Sequence, residues 1–378
     1  MMGKARYYVK LDQVPQLNAQ EKALLQPVTS RFAFRCSDYY LGLIDWEDAE
    51  DPIRRIAIPC EGELGDNGPL DASFEGLYTV APGLEHKYGD TALLLVNGVC
   101  GGYCRFCFRK RLFMRGNDEV TRDISEAVRY IRHHPEISNV LLTGGDPLIL
   151  STRKLDEIIG QIRAIGHVRI VRIGTKMPAF NPYRILDDPA LPDMVKKYSR
   201  PGRKLYFMCH FNHPRELTQP AREALHLLHR AGAVTVNQTP LIRGVNDDPE
   251  VLGDLFDELS FCGTPPYYVF QCRPTRGNLA YTVPIEKGYS IFLQAQMGKA
   301  GLSKRARFSM SHATGKIRVV GLDDDCVYMR FHRSAVPENT GRFLKLRRNP
   351  RAYWLDDYEE AAEIVEPLLE ALSLETSA

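Results

Sequence analysis

Three cysteines stand within eight residues in Cys100-Gly-Gly-Tyr-Cys104-Arg-Phe-Cys107. Thiolates are soft ligands that suit iron–sulfur clusters and zinc. Three of them on one short loop can hold three corners of a cubane [4Fe–4S] cluster, and the fourth iron is then free to take a small molecule. A zinc site usually asks for a fourth Cys or His at close spacing, and none is nearby. Gly101 and Gly102 allow the backbone to wrap tightly. The other six of the nine cysteines are scattered singly. An odd count in a long chain argues against a disulfide framework and leaves the triplet as the metal or redox candidate.

The triplet must be carried by something, and the chain supplies a repeated alternation of elements. Apolar, β-branched runs at 91–97, 138–143, 168–173, 205–211, 233–238 and 266–272 have the length of buried parallel strands. Amphipathic helical stretches lie between them. In 151–165, Leu155, Ile158, Ile159, Ile162 and Ile165 share one face and Ser151 offers an N-cap. A second helix is expected from Pro214 to about Arg230. Six strand–helix units of roughly thirty residues predict right-handed crossovers and a parallel sheet, an α/β fold of partial (β/α)6 barrel type. Chemistry in such barrels gathers at the carboxyl ends of the strands, where the triplet falls. Three regions are expected: a helical and irregular extension over 1–85, the barrel over 86–300, and a C-terminal region over 301–378. The last holds a loop with Lys316, strand candidates at 316–321 and 326–331, and an acidic amphipathic helix at 356–374. The net charge of +2 gives no argument for nucleic acid or an anionic membrane. No apolar run is long enough to span a bilayer. The opening residues MMGKARYYVKLDQ have no signal-peptide apolar region, so a cytoplasmic location is expected.

The second strand ends in Leu142-Thr143-Gly144-Gly145-Asp146-Pro147, about forty residues beyond the cysteines. Alone, Gly-Gly-Asp is an ordinary turn. With CxxxCxxC after the first strand, the pair resembles the radical S-adenosylmethionine (SAM) superfamily. The resemblance implies that the open iron binds SAM, that an electron from the cluster releases a 5′-deoxyadenosyl radical, and that Gly144, Gly145 and Asp146 receive the amino group of SAM. More narrowly, VCGGYCRFCFRKRLF, LLTGGDPLIL, VRIGTKMPAFNPYRI, HFNHPRELT, NQTPLIRGVND and PYYVFQC are similar, in order and spacing, to the lysine 2,3-aminomutase family. The likeness covers roughly residues 35–320. It implies an isomerase that moves an amino group from the α- to the β-carbon with pyridoxal 5′-phosphate (PLP) as a further cofactor. It implies Lys316 of SHATGKIRVVG as the Schiff-base lysine, although one glycine precedes it where the family has several. It implies Arg109 for the substrate carboxylate, by two parallel hydrogen bonds, and Arg184, Lys176 and Lys87 on the side of the PLP. It also implies an amino-acid substrate, an electron donor such as flavodoxin or ferredoxin, and a homo-oligomer. Some members carry a cysteine-rich C-terminal zinc site; no cysteine follows Cys326, so none is expected here.

Lysine-specific members grip the substrate ε-ammonium with two aspartates. Here those positions are Arg273, after Gln271-Cys272, and Ser309. A cation in place of an anion repels an ammonium and attracts a carboxylate, which makes an anionic side chain, glutamate first, the expected substrate. The bland reading is that Arg273 pairs internally with a pocket acid. Two rival functions stay open at this point: another amino-acid reaction, oxidation or desaturation, on the same scaffold, and a non-catalytic iron–sulfur or zinc-binding module.

Overall fold

The computed structural model describes residues 5–375. A short antiparallel pair, β1 (Tyr7–Tyr8) and β2 (Cys36–Ser37), stands apart from a single twelve-stranded sheet. That sheet runs in strict chain order: β3 (Thr79–Ala81), β4 (Leu84–Tyr88), β5 (Thr91–Asn97), β6 (Asn139–Gly144), β7 (Ile170–Thr175), β8 (Leu205–Cys209), β9 (Val234–Leu241), β10 (Pro266–Gln271), β11 (Arg307–His312), β12 (Gly315–Leu322), β13 (Cys326–Ser334) and β14 (Phe343–Arg347). The strands from β5 to β11 are mutually parallel, and each successive pair is bridged by a helix: 125–133, 152–163, 190–198, 219–230, 249–261 and 285–296. This is the expected partial barrel with one strand more. β11 lies in a stretch read from sequence as a loop, because the polar alternation of RFSMSH in Arg307–His312 lacks the apolar run that marked the others. The remaining strands are antiparallel flaps on either end of the parallel array.

The 85/86 position falls inside β4, and β11 to β14, over Arg307–Arg347, continue the barrel's own sheet. The expected helix from Pro214 is also two elements. Pro214 opens a 3-10 turn over Pro214–Glu216, and the helix proper is Gln219–Arg230, capped by Thr218 with Pro220 in its first turn. Pro220 cannot donate an N–H, so the chain breaks before it and restarts there. The helix Thr152–Arg163 begins at Ser151, whose hydroxyl accepts from Lys154 N–H at 3.3 Å, and it buries Leu155, Ile158, Ile159 and Ile162.

Alternation along the strands builds the site. Val140, Leu142, Val171, Ile173, Phe207, Val269, Phe308 and Met310 point outward and are wholly buried under the helices or close to it. Their neighbours Leu93, Leu141, Thr143, Arg172, Gly174, Gln238, Phe270 and Ser311 point inward and line one cavity. The inward half of each strand is therefore the half that lines the site. Among the described residues no helix is long and apolar enough to cross a membrane.

Candidate active site

The cavity has a volume of about 350 Å³ and opens at the carboxyl ends of the parallel strands. Cys100, Cys104 and Cys107 line it from the loop after β5. Gly101 and Gly102 in that loop pack on Met177 and Phe180; a Cβ on Gly102 would approach the Phe180 ring to 2.8 Å. The extension clamps the loop from outside. Arg35 Nε donates to the Cys100 carbonyl at 2.8 Å, and Arg105 N–H donates to the Ile56 carbonyl at 3.0 Å. Burial pushes the Cys104 thiol up to about 12 and raises Cys100 and Cys107 as well. Thiols in such surroundings lose their protons to a metal centre and not to water. Among the described residues no three Cys, His, Asp or Glu side chains converge on one point as ligands to a single ion would. All three cysteines line the same cavity, and a cubane cluster takes one thiolate on each of three separate irons.

Gly144 and Gly145 follow β6 and press against the exit of β5. Gly144 has φ +115°, and a Cβ on Gly145 would collide with the backbone of Val99. Asp146 is buried and fully engaged: it accepts from Thr175 Oγ1 at 2.9 Å, Lys176 N–H at 2.8 Å and Leu148 N–H at 3.0 Å. Burial still raises its carboxyl to about 6 against those donors. Its side chain thus ties the end of β6 to the end of β7.

Lys316 is not on a loop. It is the second residue of β12, after a two-residue turn at Ala313–Thr314, paired in register with Arg333 of β13. The single glycine before it is required by packing, since a Cβ on Gly315 would overlap the Arg333 carbonyl. The Lys316 amine makes no hydrogen bond. It lies over the rings of Tyr268 and Phe270, 4.3 and 5.0 Å from their centroids. Burial, followed by Arg172, Arg333, Arg273 and Lys87, lowers its pKa to about 7.

Arg109 is buried in the cavity wall. Its Nε and Nη2 donate to Glu75 at 3.0 and 2.8 Å, and its Nη1 to Thr143 Oγ1 at 3.2 Å. Glu75 is a hub: Arg111 Nη2 also donates to it at 2.8 Å, and Arg273 Nη1 stands 3.5 Å away. Burial pushes Glu75 up, but Arg109, Arg273 and Arg111 outweigh it and hold the carboxyl well below its usual range. Arg273 stacks on Phe108 with its guanidinium carbon 3.5 Å from the ring centroid. Its Nη1 is buried without a hydrogen-bond partner, as is Ser309 Oγ on the inward face of β11.

The residues expected on the PLP side divide. Lys87 lines the cavity, with its amine donating to the His312 carbonyl at 2.6 Å; burial and then Arg273 lower its pKa to about 7. Lys176 lines it too, held by Glu216 at 2.5 Å and Asn212 at 2.7 Å. Arg184 lies outside the lining. It donates to the carbonyls of Leu148 and Leu150 and pairs with Asp188 at 2.7 Å, so its guanidinium braces a loop. Arg172 and Arg333, which sequence reasoning missed, are in the wall instead. Arg172 Nε is buried without a partner. An arginine at an inward position of the apolar run VRIVRI was the available signal. Glu75 and Glu85 were missed as well, and an acid in an irregular stretch carries no signal of its own.

A sequence profile described as the radical SAM superfamily matches residues 94–255. A putative L-lysine 2,3-aminomutase of Aquifex aeolicus is 55% identical over 95% of this chain and 96% of its own length. The chain belongs to the lysine 2,3-aminomutase family of radical SAM enzymes. Further family members include the L-lysine 2,3-aminomutase of Clostridium subterminale, 38% identical over 74% of this chain and 66% of its own. The glutamate 2,3-aminomutase of Clostridioides difficile is 36% identical over the same shares, 74% and 66%. The protein is thus a radical SAM isomerase, and membership brings a [4Fe–4S] cluster and SAM. The three thiols at one end of the cavity fit the cluster, and the space beside them, bounded by Gly144 and Gly145, fits a ligand on its open iron.

Proposed function

We propose that this aminomutase uses PLP and acts on an amino acid with an anionic side chain, glutamate first. The observation that carries the substrate reading is Arg273 Nη1, a buried guanidinium nitrogen in the cavity wall that stands 3.5 Å from Glu75 without a hydrogen bond to it; Ser309 Oγ, buried on β11 behind the cavity lining, is unpartnered too. A substrate carboxylate would supply an acceptor to Arg273; an ammonium would supply none. Glu75 offsets part of the charge of Arg273, but it is shared with Arg109 and Arg111 and so neutralises none of the three alone.

The residues present fit PLP. Lys316 offers an amine whose pKa is lowered to about 7 above two aromatic rings, and Arg172, with its Nε unpartnered, and Lys87 offer cations to a phosphate, beside Arg333, which is paired with Asp90. When bound, PLP supplies an electron-delocalising ring attached to the substrate nitrogen. The chain's own contribution is placement. Arg109 fixes the α-carboxylate, Arg273 fixes the side chain, and the barrel wall excludes water and oxygen from the radical's path. An external one-electron donor of the flavodoxin or ferredoxin type reduces the cluster.

The test is anaerobic incubation of the reconstituted enzyme with SAM, dithionite and glutamate, aspartate, lysine or arginine, with β-amino products separated by chromatography and weighed by mass spectrometry. β-Glutamate is the expected product. Turnover of lysine alone would reject the charge argument, and deaminated or desaturated products would reject the aminomutase reading.

A further inference from the structure

Glu85 is the one acid of the cavity wall to which neither the fold nor the reaction as described gives a task. It sits on β4, inward beside Leu93 of β5, with 7% of its surface exposed. Its carboxyl makes no hydrogen bond among the described residues. Its nearest ionic neighbour is Arg109 Nη2 at 3.9 Å, too far for a hydrogen bond and close enough to share the guanidinium's field. Arg109 already holds Glu75 on its Nε–Nη2 edge. Resting on the reading that Arg109 receives the substrate α-carboxylate, the consequence is steric and electrostatic: that carboxylate arrives where two acids already face one arginine.

We propose that Glu85 is a proton-holding positioning residue that admits the substrate carboxylate to Arg109. With its proton on, Glu85 is neutral and donates its O–H to the incoming carboxylate, which then has the Arg109 guanidinium on one side and the Glu85 hydroxyl on the other. With its proton off, Glu85 is itself an anion beside Arg109 and competes with the substrate. Binding above the titration of Glu85 therefore takes up one proton, which goes from solvent to the Glu85 carboxylate and stays there while the substrate is bound.

The charged groups around Glu85 agree with this. From the segment before β3, Glu75 and Asp71 face it and favour the proton; from the loop after β5, Arg109 and Arg111 oppose it; Lys87 lies two residues on along the same strand. Burial and the Glu75 charge outweigh the two arginines, and the carboxyl is raised to about 8. The protonated form is then present at neutrality and is lost as pH rises.

The test is a pair of variants of the reconstituted holoenzyme. In the wild type, KM for the amino acid stays level to about pH 8 and then rises about tenfold per pH unit, while kcat holds. Glu85→Gln keeps a donor and cannot ionise, so it retains the neutral-pH KM and removes the alkaline rise. Glu85→Leu is also level but about tenfold weaker at neutrality, for the lost hydrogen bond. Calorimetric titration near pH 9 in buffers of different ionisation enthalpy reads the same proton without turnover: the wild type takes up about one proton more per amino acid bound than Glu85→Gln. Identical pH profiles and identical proton counts in the wild type and Glu85→Gln would overturn the proposal. An amino acid that binds with the extra proton but forms no β-product would sink the aminomutase reading and leave the role of Glu85 standing. A holoenzyme that binds no amino acid overturns both.

Discussion

The cysteine loop is held by a buried ion pair whose removal has a calculable cost. Arg105 stands between Cys104 and Cys107, and its Nε and Nη2 donate to the two Glu63 oxygens at 3.0 and 2.7 Å. The two side chains are 2% and 0% exposed. Arg105 Nη1 also reaches the Ala33 carbonyl at 2.8 Å, so the pair stitches the loop to the N-terminal extension. Breaking a buried pair by removing one member costs about 3–5 kcal/mol, because the other charge is left stranded. Arg105→Met leaves Glu63 with the Tyr281 hydroxyl at 3.0 Å and the Cys60 N–H at 3.1 Å, so its cost falls near 3 kcal/mol. Glu63→Met leaves the guanidinium with a single carbonyl acceptor, so its cost falls near 5 kcal/mol. The double variant strands neither charge. It takes a partner from the Tyr281 hydroxyl, the Cys60 N–H and the Ala33 carbonyl, about 1–3 kcal/mol each at most, and regains apolar packing. The double-variant loss should therefore fall several kcal/mol short of the sum of the singles. Urea unfolding of the apo chain under reductant measures all three, and iron and acid-labile sulfide after anaerobic reconstitution should fall in the singles and recover in the double. Costs that add within about 0.5 kcal/mol would show that the two residues do not act as a unit, and the reasoning would fail.

Lys316→Ala should abolish the absorbance of bound PLP while leaving cluster iron unchanged; a variant that keeps the band has another anchoring lysine. The neutral amine is the reactive form and burial depresses its pKa, so PLP uptake by the apo chain should quicken about tenfold per pH unit below about pH 7 and level off above it. An ordinary lysine would still be accelerating at pH 9. Arg273→Met should lower kcat/KM for glutamate about 10- to 150-fold, the range for one charge-assisted hydrogen bond, with SAM binding intact; an unchanged value removes Arg273 from the substrate site. Arg172→Gln should weaken PLP affinity measured by equilibrium dialysis, whereas Arg184→Ala should lower the thermal midpoint and leave that affinity alone, because the Arg184 guanidinium is spent on Leu148, Leu150 and Asp188.

What was legible followed from burial on two faces. The strands over 91–97, 138–143 and 266–272 announce themselves because the outward row must pack under helices, and the alternating helices impose the parallel order. β11 was illegible for the opposite reason: its inward residues Arg307, Ser309 and Ser311 are polar, and they interrupt the apolar run that marks a strand. Lys316 was read both as the end of a loop and as the first residue of a strand over 316–321, and the structure puts it one residue inside that strand, which begins at Gly315. Cys100, Cys104 and Cys107 were readable because chemistry demands close spacing from neighbouring residues. Glu75 and Glu85, Arg172, and Arg333 come from three separate segments of the chain, and the sheet brings them to one cavity. Arg184 failed differently. A cation conspicuous in sequence proved to be a brace, and the inward arginine twelve residues earlier had been read as part of a strand.

The cations of the cavity have two tasks that follow in order. Arg172, Arg333, Arg273 and Lys87 all act after burial to lower the Lys316 amine to about 7, so a large share of it is neutral and able to attack near neutral pH. The same field is unfavourable to itself, since like charges in a low-dielectric wall repel. Arg172 Nε, Arg273 Nη1 and Ser309 Oγ add the cost of buried polar atoms without partners. Each of these debts is relieved by an anion: a phosphate beside Arg172 and Arg333, a substrate carboxylate beside Arg273. A site arranged this way favours the deprotonated lysine before its ligands arrive and favours anionic ligands afterwards. A lysine ammonium would give no acceptor to Arg172 Nε or Arg273 Nη1, and it is on this ground that the proposed substrate is an anionic amino acid and not the lysine named for most of its relatives.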